Sequence, residues 1–90
     1  MAESPMIIVY HRDFKKNYKR LSSKLKERLE ERLRLFSNDE FSPILNNHAL
    51  KGKWLGYRSI NVTGDIRAIF KRDTEAVLFV AIDTHSNLYG

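Results

Sequence analysis

The apolar positions change period along the chain, and those changes define the elements. Met6 to His11, "MIIVYH", is a short β-branched-rich run and predicts a strand. Beyond it Phe14, Tyr18 and Leu21 recur at spacings of four and three, which places them on one face of a helix. In "SSKLKERLEERLRLF" the stripe continues as Leu25, Leu29, Leu33 and Phe36, with Ser22 or Ser23 available as an N-cap. Lys24, Glu27, Arg28, Glu31, Arg32 and Arg34 occupy the rest of that helix and read as a solvated surface of mixed charge. "SNDEFSPILNN" then breaks the pattern, and "HALKGKWLG", with Gly52 and Gly56 around Lys53 and Trp54, is expected to be irregular.

From Tyr57 onward the pattern is β-like. "YRSINV" and "IRAIFKR" read as two strands of a hairpin, joined by "TGD" with a positive φ expected at Gly64. "AVLFVAI" is apolar at every position, as a strand covered on both faces requires, so it is expected at the centre of the sheet. The order strand, helix, helix, strand, strand, strand predicts a two-layer α+β domain. An N-terminal strand is followed by an antiparallel helical hairpin packed on a β-sheet, which a C-terminal three-stranded antiparallel meander completes.

Length and composition narrow the classes. Ninety residues make a single domain over 1–90, and 42% hydrophobic residues with 11% aromatics support a packed core. With no cysteine, disulfide frameworks and thiolate metal sites are excluded. Three histidines without an i, i+4 pair or a supporting carboxylate spacing give no reason to expect a metal or other cofactor. No stretch reaches the roughly 20 apolar residues of a membrane span, and the short, Glu3-containing start does not resemble a signal peptide, so a cytoplasmic protein is expected. The formal charge of +5 and pI near 9.7 favour polyanionic partners.

Polar residues outside the expected core gather in three places: the loop with His48, Lys51, Lys53 and Trp54; the hairpin with Arg58, Ser59, Asn61, Asp65, Arg67 and Lys71; and the tail with Asp83, Thr84, His85 and Tyr89. If the last strand is central, these three sets can converge on the sheet face opposite the helices. Such a set suits RNA cleavage. The 2′-hydroxyl of RNA is its own nucleophile, so the protein must supply a base, an acid and cations for the charge developing on phosphorus. Histidine serves either proton-transfer role, arginine and lysine bind phosphate, and Trp54 or Tyr89 can stack on a base. Each residue also has a structural reading: His85 and His48 as loop hydrogen-bonders, Trp54 as a core anchor, Lys51 and Lys53 as solubilising charge, and Asp65 as a turn former.

The strings "HALKGKWLGYRSINVTGDIRAIFK" and "DTHSNLYG" resemble the RelE/ParE toxin superfamily of type II toxin–antitoxin systems, its YafQ-like branch in particular. The resemblance covers about Asn47 to Gly90. It implies a metal-independent mRNA interferase, a ribosome-dependent endoribonuclease that cuts mRNA in the A site. It further implies that His85, His48, Asp65 and Arg67 are catalytic, and that Lys51, Lys53, Trp54, Arg58 and Tyr89 bind RNA. The implied partners are a small, acidic, partly disordered antitoxin, mRNA on the ribosome, and operator DNA only through the antitoxin complex. The related toxins often carry an acid after Gly-Tyr-Arg and a histidine two residues later; this chain has Ser59 and Asn61 there. The alternatives are a ParE-like gyrase poison without RNase activity and a degenerate domain that only binds antitoxin.

Overall fold

A computed structural model describes residues 6–84 of the chain. Strand β1 (Ile7–Tyr10) is followed by helix α1 (Arg12–Lys19) and helix α2 (Ser23–Asn38). His11 ends the strand and starts the first helix: its Nδ1 accepts the amide of Asp13 at 3.0 Å. Of the two serines available as a cap for the second, Ser22 is the one used, its Oγ accepting the Leu25 amide at 3.2 Å. A 3₁₀ turn over Pro43–Leu45, a two-residue strand β2 (His48–Ala49) and a 3₁₀ turn over Gly52–Trp54 lead into the meander β3 (Arg58–Asn61), β4 (Ile66–Arg72) and β5 (Ala76–Thr84).

The sheet order is β1-β5-β4-β3-β2. β5 is central, as its apolar run requires, and pairs parallel with β1 and antiparallel with β4. The meander is present as expected, but "HALKGKWLG" is not wholly irregular: His48 and Ala49 pair with Ser59 and Arg58 and add a short edge strand. Gly52 and Gly56 take positive φ, 63° and 92°, which makes this tight connection possible. Gly64 does not. The β3–β4 turn is held instead by Thr63, whose Oγ1 accepts the amides of Asp65 and Ile66 at 3.2 and 3.0 Å.

Both helices cover one sheet face. Phe14 of α1 and Leu29 and Phe36 of α2 are buried with Ile60, Ala68, Phe70, Val77, Phe79 and Ile82 of the strands. Phe79 is the hub, with the rings of Phe70, Phe36 and Phe14 at 5.2, 5.5 and 5.6 Å. Burying each such ring stabilises the fold by about 1.5–3 kcal/mol, with roughly 0.5–1.5 kcal/mol more per aromatic pair. Tyr10 packs at the rim of this cluster, and burial pushes its phenol above the ordinary tyrosine pKa. Beyond Phe79, where β1 has ended, α1 takes over the exposed edge: Asn17 Oδ1 accepts the amide of Ile82 at 3.3 Å.

One irregularity shapes the other face. Ile69 pairs with Ala81 but Phe70 with Phe79, so Val80 is an extra residue and β5 bulges there. Strict alternation from Phe79 would send Ala81 and Asp83 into the core. The bulge reverses the phase, turning Ile82 inward and Asp83 to the face opposite the helices.

Candidate functional site

Directly paired residues in antiparallel strands share a face, so the register maps the open side of the sheet. One row runs Ala81, Ile69, Ser59, His48; the next runs Asp83, Arg67, Asn61. A small apolar cluster of Leu50, Ile69, Trp54, Tyr57, Val80 and Ala81 covers part of this face. Trp54 belongs to that cluster, half-buried and edge-on to Tyr57 at 5.4 Å, while the Lys71 ammonium lies 5.9 Å from the Tyr57 ring.

His48 is exposed, and its Nδ1 lies 2.7 Å from the carbonyl oxygen of Asn46. A carbonyl only accepts, so Nδ1 carries the proton and the lone pair of the neutral ring is at Nε2. The ring is therefore oriented for proton transfer at Nε2: as a base when neutral, as an acid when charged. Asn46 sits in the left-handed region, φ 47°, which turns its carbonyl back onto the ring. Asn47 braces the same loop, donating from Nδ2 to the Glu40 carbonyl at 3.0 Å.

Arg67 is half-buried on the neighbouring row. Its Nη1 donates to the carbonyls of Thr63 and Gly64, both at 3.1 Å, and of Ile66 at 3.4 Å. These contacts fix one arm of the guanidinium against the turn, at a register position on the open face. Asp65 stands exposed at the tip of that turn, and Lys51 and Lys53 are exposed around the Gly52–Trp54 turn. The open face thus combines a pre-oriented imidazole, a tethered guanidinium and a rim of lysines.

Arg58 departs from the expected set. It pairs with Phe70 and Ala49, which points it to the helix side of the sheet. There its Nε donates to Asn47 Oδ1 at 2.8 Å and its guanidinium lies 5.8 Å from the Phe41 ring. Its geometry is that of a brace for the loop presenting His48, not of a group on the open face. His85 and Tyr89 lie outside the described residues; β5 delivers the chain to Thr84, which pairs with Ile66 beside the Arg67 turn. Sequence reasoning misses Tyr57, and it groups Lys71 and Asp83 with the hairpin and tail sets without giving either a catalytic or RNA-binding role. The period-2 pattern Arg67, Ile69, Lys71 does place Lys71 on the Arg67 face, whereas the bulge that turns Asp83 to that face leaves no mark in the all-apolar run 76–82. Among the described residues no three His, Asp or Glu side chains form a metal-ligating group.

Residues 6–90 match the family model described as "Bacterial toxin of type II toxin-antitoxin system, YafQ". Comparison with curated proteins by sequence gives no significant match. Among solved structures, the crystal structure of YafQ from E. coli strain BL21(DE3) superposes with a TM-score of 0.80 at 26% identity, over 94% of this chain and 99% of that one. The E. coli DinJ–YafQ toxin–antitoxin complex gives 0.78 at 26% identity, over 97% and 100%. A YoeB/ParE toxin from Agrobacterium tumefaciens shares the fold, with a TM-score of 0.73 at 19% identity over 89% of this chain and 99% of that one. Two helices packed on one face of a five-stranded mixed sheet is the α+β architecture this chain shares with the RelE-like toxins. Within that class, the chain belongs to the YafQ family of bacterial type II toxin–antitoxin toxins.

Proposed function

We propose that this toxin is a ribosome-dependent endoribonuclease that cleaves mRNA in the A site by attack of the 2′-hydroxyl on the adjacent phosphorus. The observation that carries this reading is the placement of the fixed His48 Nε2 on the same open face as Arg67, with β5 ending beside that turn one residue before His85. His48 and His85 divide the two proton transfers, one taking the 2′-hydroxyl proton and the other supplying a proton to the leaving 5′-oxygen. Arg67 meets the charge building on the phosphoryl oxygens. Asp65 at the turn tip contributes to orienting the catalytic groups. Lys51 and Lys53 hold neighbouring phosphates, and Trp54 and Tyr89 position bases. Ser59 and Asn61 do not titrate near neutral pH, so proton transfer falls to the histidines. The toxin's partner is a small acidic antitoxin that covers the basic surface, by analogy with the complex that E. coli YafQ forms with DinJ.

The test is a reconstituted translation reaction in which cut sites are mapped by primer extension. Parent protein should cut messages only when ribosomes are present, and His85→Ala should abolish cutting while leaving the melting temperature intact. Uncut message with parent protein, or full cutting by His85→Ala, would overturn the proposal. Gyrase-linked DNA damage with intact translation would point instead to a gyrase poison.

A further inference from the structure

Two side-chain oxygens on consecutive open-face positions of β3, Ser59 Oγ and Asn61 Oδ1, are buried without a hydrogen-bond partner. Ser59 is 0% exposed. Native proteins pair nearly all such atoms, because an orphan forfeits its bonds to water, and a retained orphan at a site is a group awaiting a ligand. Residues two apart on a strand are separated by about 7 Å at Cα, so one small group between their side chains can reach both. The pair is bracketed by the proposed chemistry: Ser59 is in register with His48, and Asn61 with Arg67.

The atom types define the ligand. Asn61 Oδ1 only accepts, as phosphate oxygens do, so a phosphate suits Arg67 and is repelled by that carbonyl. The complement to an amide carbonyl beside a hydroxyl is an uncharged group that both donates and accepts. In a nucleic acid the ribose 2′-hydroxyl is such a group, and it is the atom that separates RNA from DNA. We infer that Ser59 and Asn61 form a receptor for the 2′-hydroxyl of the nucleotide whose phosphate faces Arg67, and that the receptor selects RNA over DNA. The 2′-hydroxyl donates to Asn61 Oδ1 and accepts from Ser59 Oγ. Asn61 is only half-buried, and its amide turns about a broad sp³–sp² torsion, so its carbonyl can swing to meet the ligand. Neither residue takes the proton: for attack the hydroxyl's single hydrogen turns from Asn61 Oδ1 to a histidine, while Ser59 Oγ keeps its bond. The inference rests on the RNA-cleavage reading for its substrate, but its measurement is a binding ratio that needs no turnover.

The experiment measures binding of a fluorescent single-stranded RNA and of the DNA of identical sequence, by anisotropy, without ribosomes. Parent protein should prefer RNA by about 10-fold, the worth of one well-made hydrogen bond of ~1.4 kcal/mol. Ser59→Ala and Asn61→Leu should each lower the ratio several-fold by weakening RNA binding alone, and Ser59→Ala should melt no lower than the parent because it deletes an unpaired buried hydroxyl. Ser59→Ala removes a single atom, so it decides the matter if Asn61→Leu fails to fold. A parent without RNA preference, or an unchanged preference in Ser59→Ala, overturns the inference. If the ratio behaves as expected while ribosome-bound message stays uncut, the cleavage proposal fails and the receptor stands. If message is cut but the variants keep the ratio, the receptor alone fails.

Discussion

Replacing Arg67 by alanine separates the bonds it makes to the β3–β4 turn from the phosphate contact proposed for it. The first is local: Nη1 ties together the carbonyls of Thr63, Gly64 and Ile66. These three bonds share one nitrogen at a partly exposed turn where water can replace it, so their loss costs about 1 kcal/mol rather than the full value of three charged bonds. A domain of this size holds roughly 5–15 kcal/mol of stability. Even at the lower limit about 4 kcal/mol remains, which leaves only ~0.1% of molecules unfolded. The second, proposed task is electrostatic stabilisation of the phosphoryl charge, and loss of one preorganised donor costs about 10²–10³ in rate. Cleavage should therefore fall by about 100-fold or more, while the folded population is unchanged. Urea melts and quantitative primer extension on the same preparations measure both quantities. Arg67→Lys, which keeps the charge and loses the fork, should fall between parent and alanine. A loss under about five-fold, against the 10²–10³ expected of a lost donor, or one that simply follows the fraction unfolded, would refute the phosphate role.

The His48 ring is exposed, so His48→Ala should lower single-turnover cleavage by about 10²–10⁴ while shifting the urea midpoint little. Arg58→Ala should do the reverse, costing about 1–2 kcal/mol in a urea melt through Asn47 and Phe41 while cleavage falls less than about ten-fold. Tyr10 makes the fold sensitive to alkali: burial raises its pKa in the folded state, so its contribution is full below the ordinary tyrosine pKa near 10 and is lost as pH rises through the higher folded value. Tyr10→Phe should flatten the decline in stability above about pH 10 measured by denaturant melts, and an unchanged slope would contradict it.

Much of the architecture was legible because it depends on local periodicity. The stripe Leu25, Leu29, Leu33, Phe36 announces α2, and the serine before it supplies the cap that is found. The continuous apolar run of β5 announces a strand with neighbours on both sides, and its place between β1 and β4 follows. His48 and Arg67 were recognisable as candidates by residue type and by the motif around them, and both fall on the open face. The glycine of the hairpin turn misled, because Thr63 supplies by side-chain hydrogen bonds what a positive φ was expected to supply at Gly64.

Determined by the sequence alone were the order of the main elements other than the short strand β2, the helix-facing core, the basic charge and the family motifs, all of which are written in spacing and residue type. Facing was decided by the tertiary structure. A single extra residue at Val80 reverses the side of the sheet on which Asp83 emerges, and the pairing of Arg58 with Phe70 sends a promising cation to the helix side. Register is a property of two strands at once. When one of them is apolar at every position, no pattern within it reveals which side chains meet solvent.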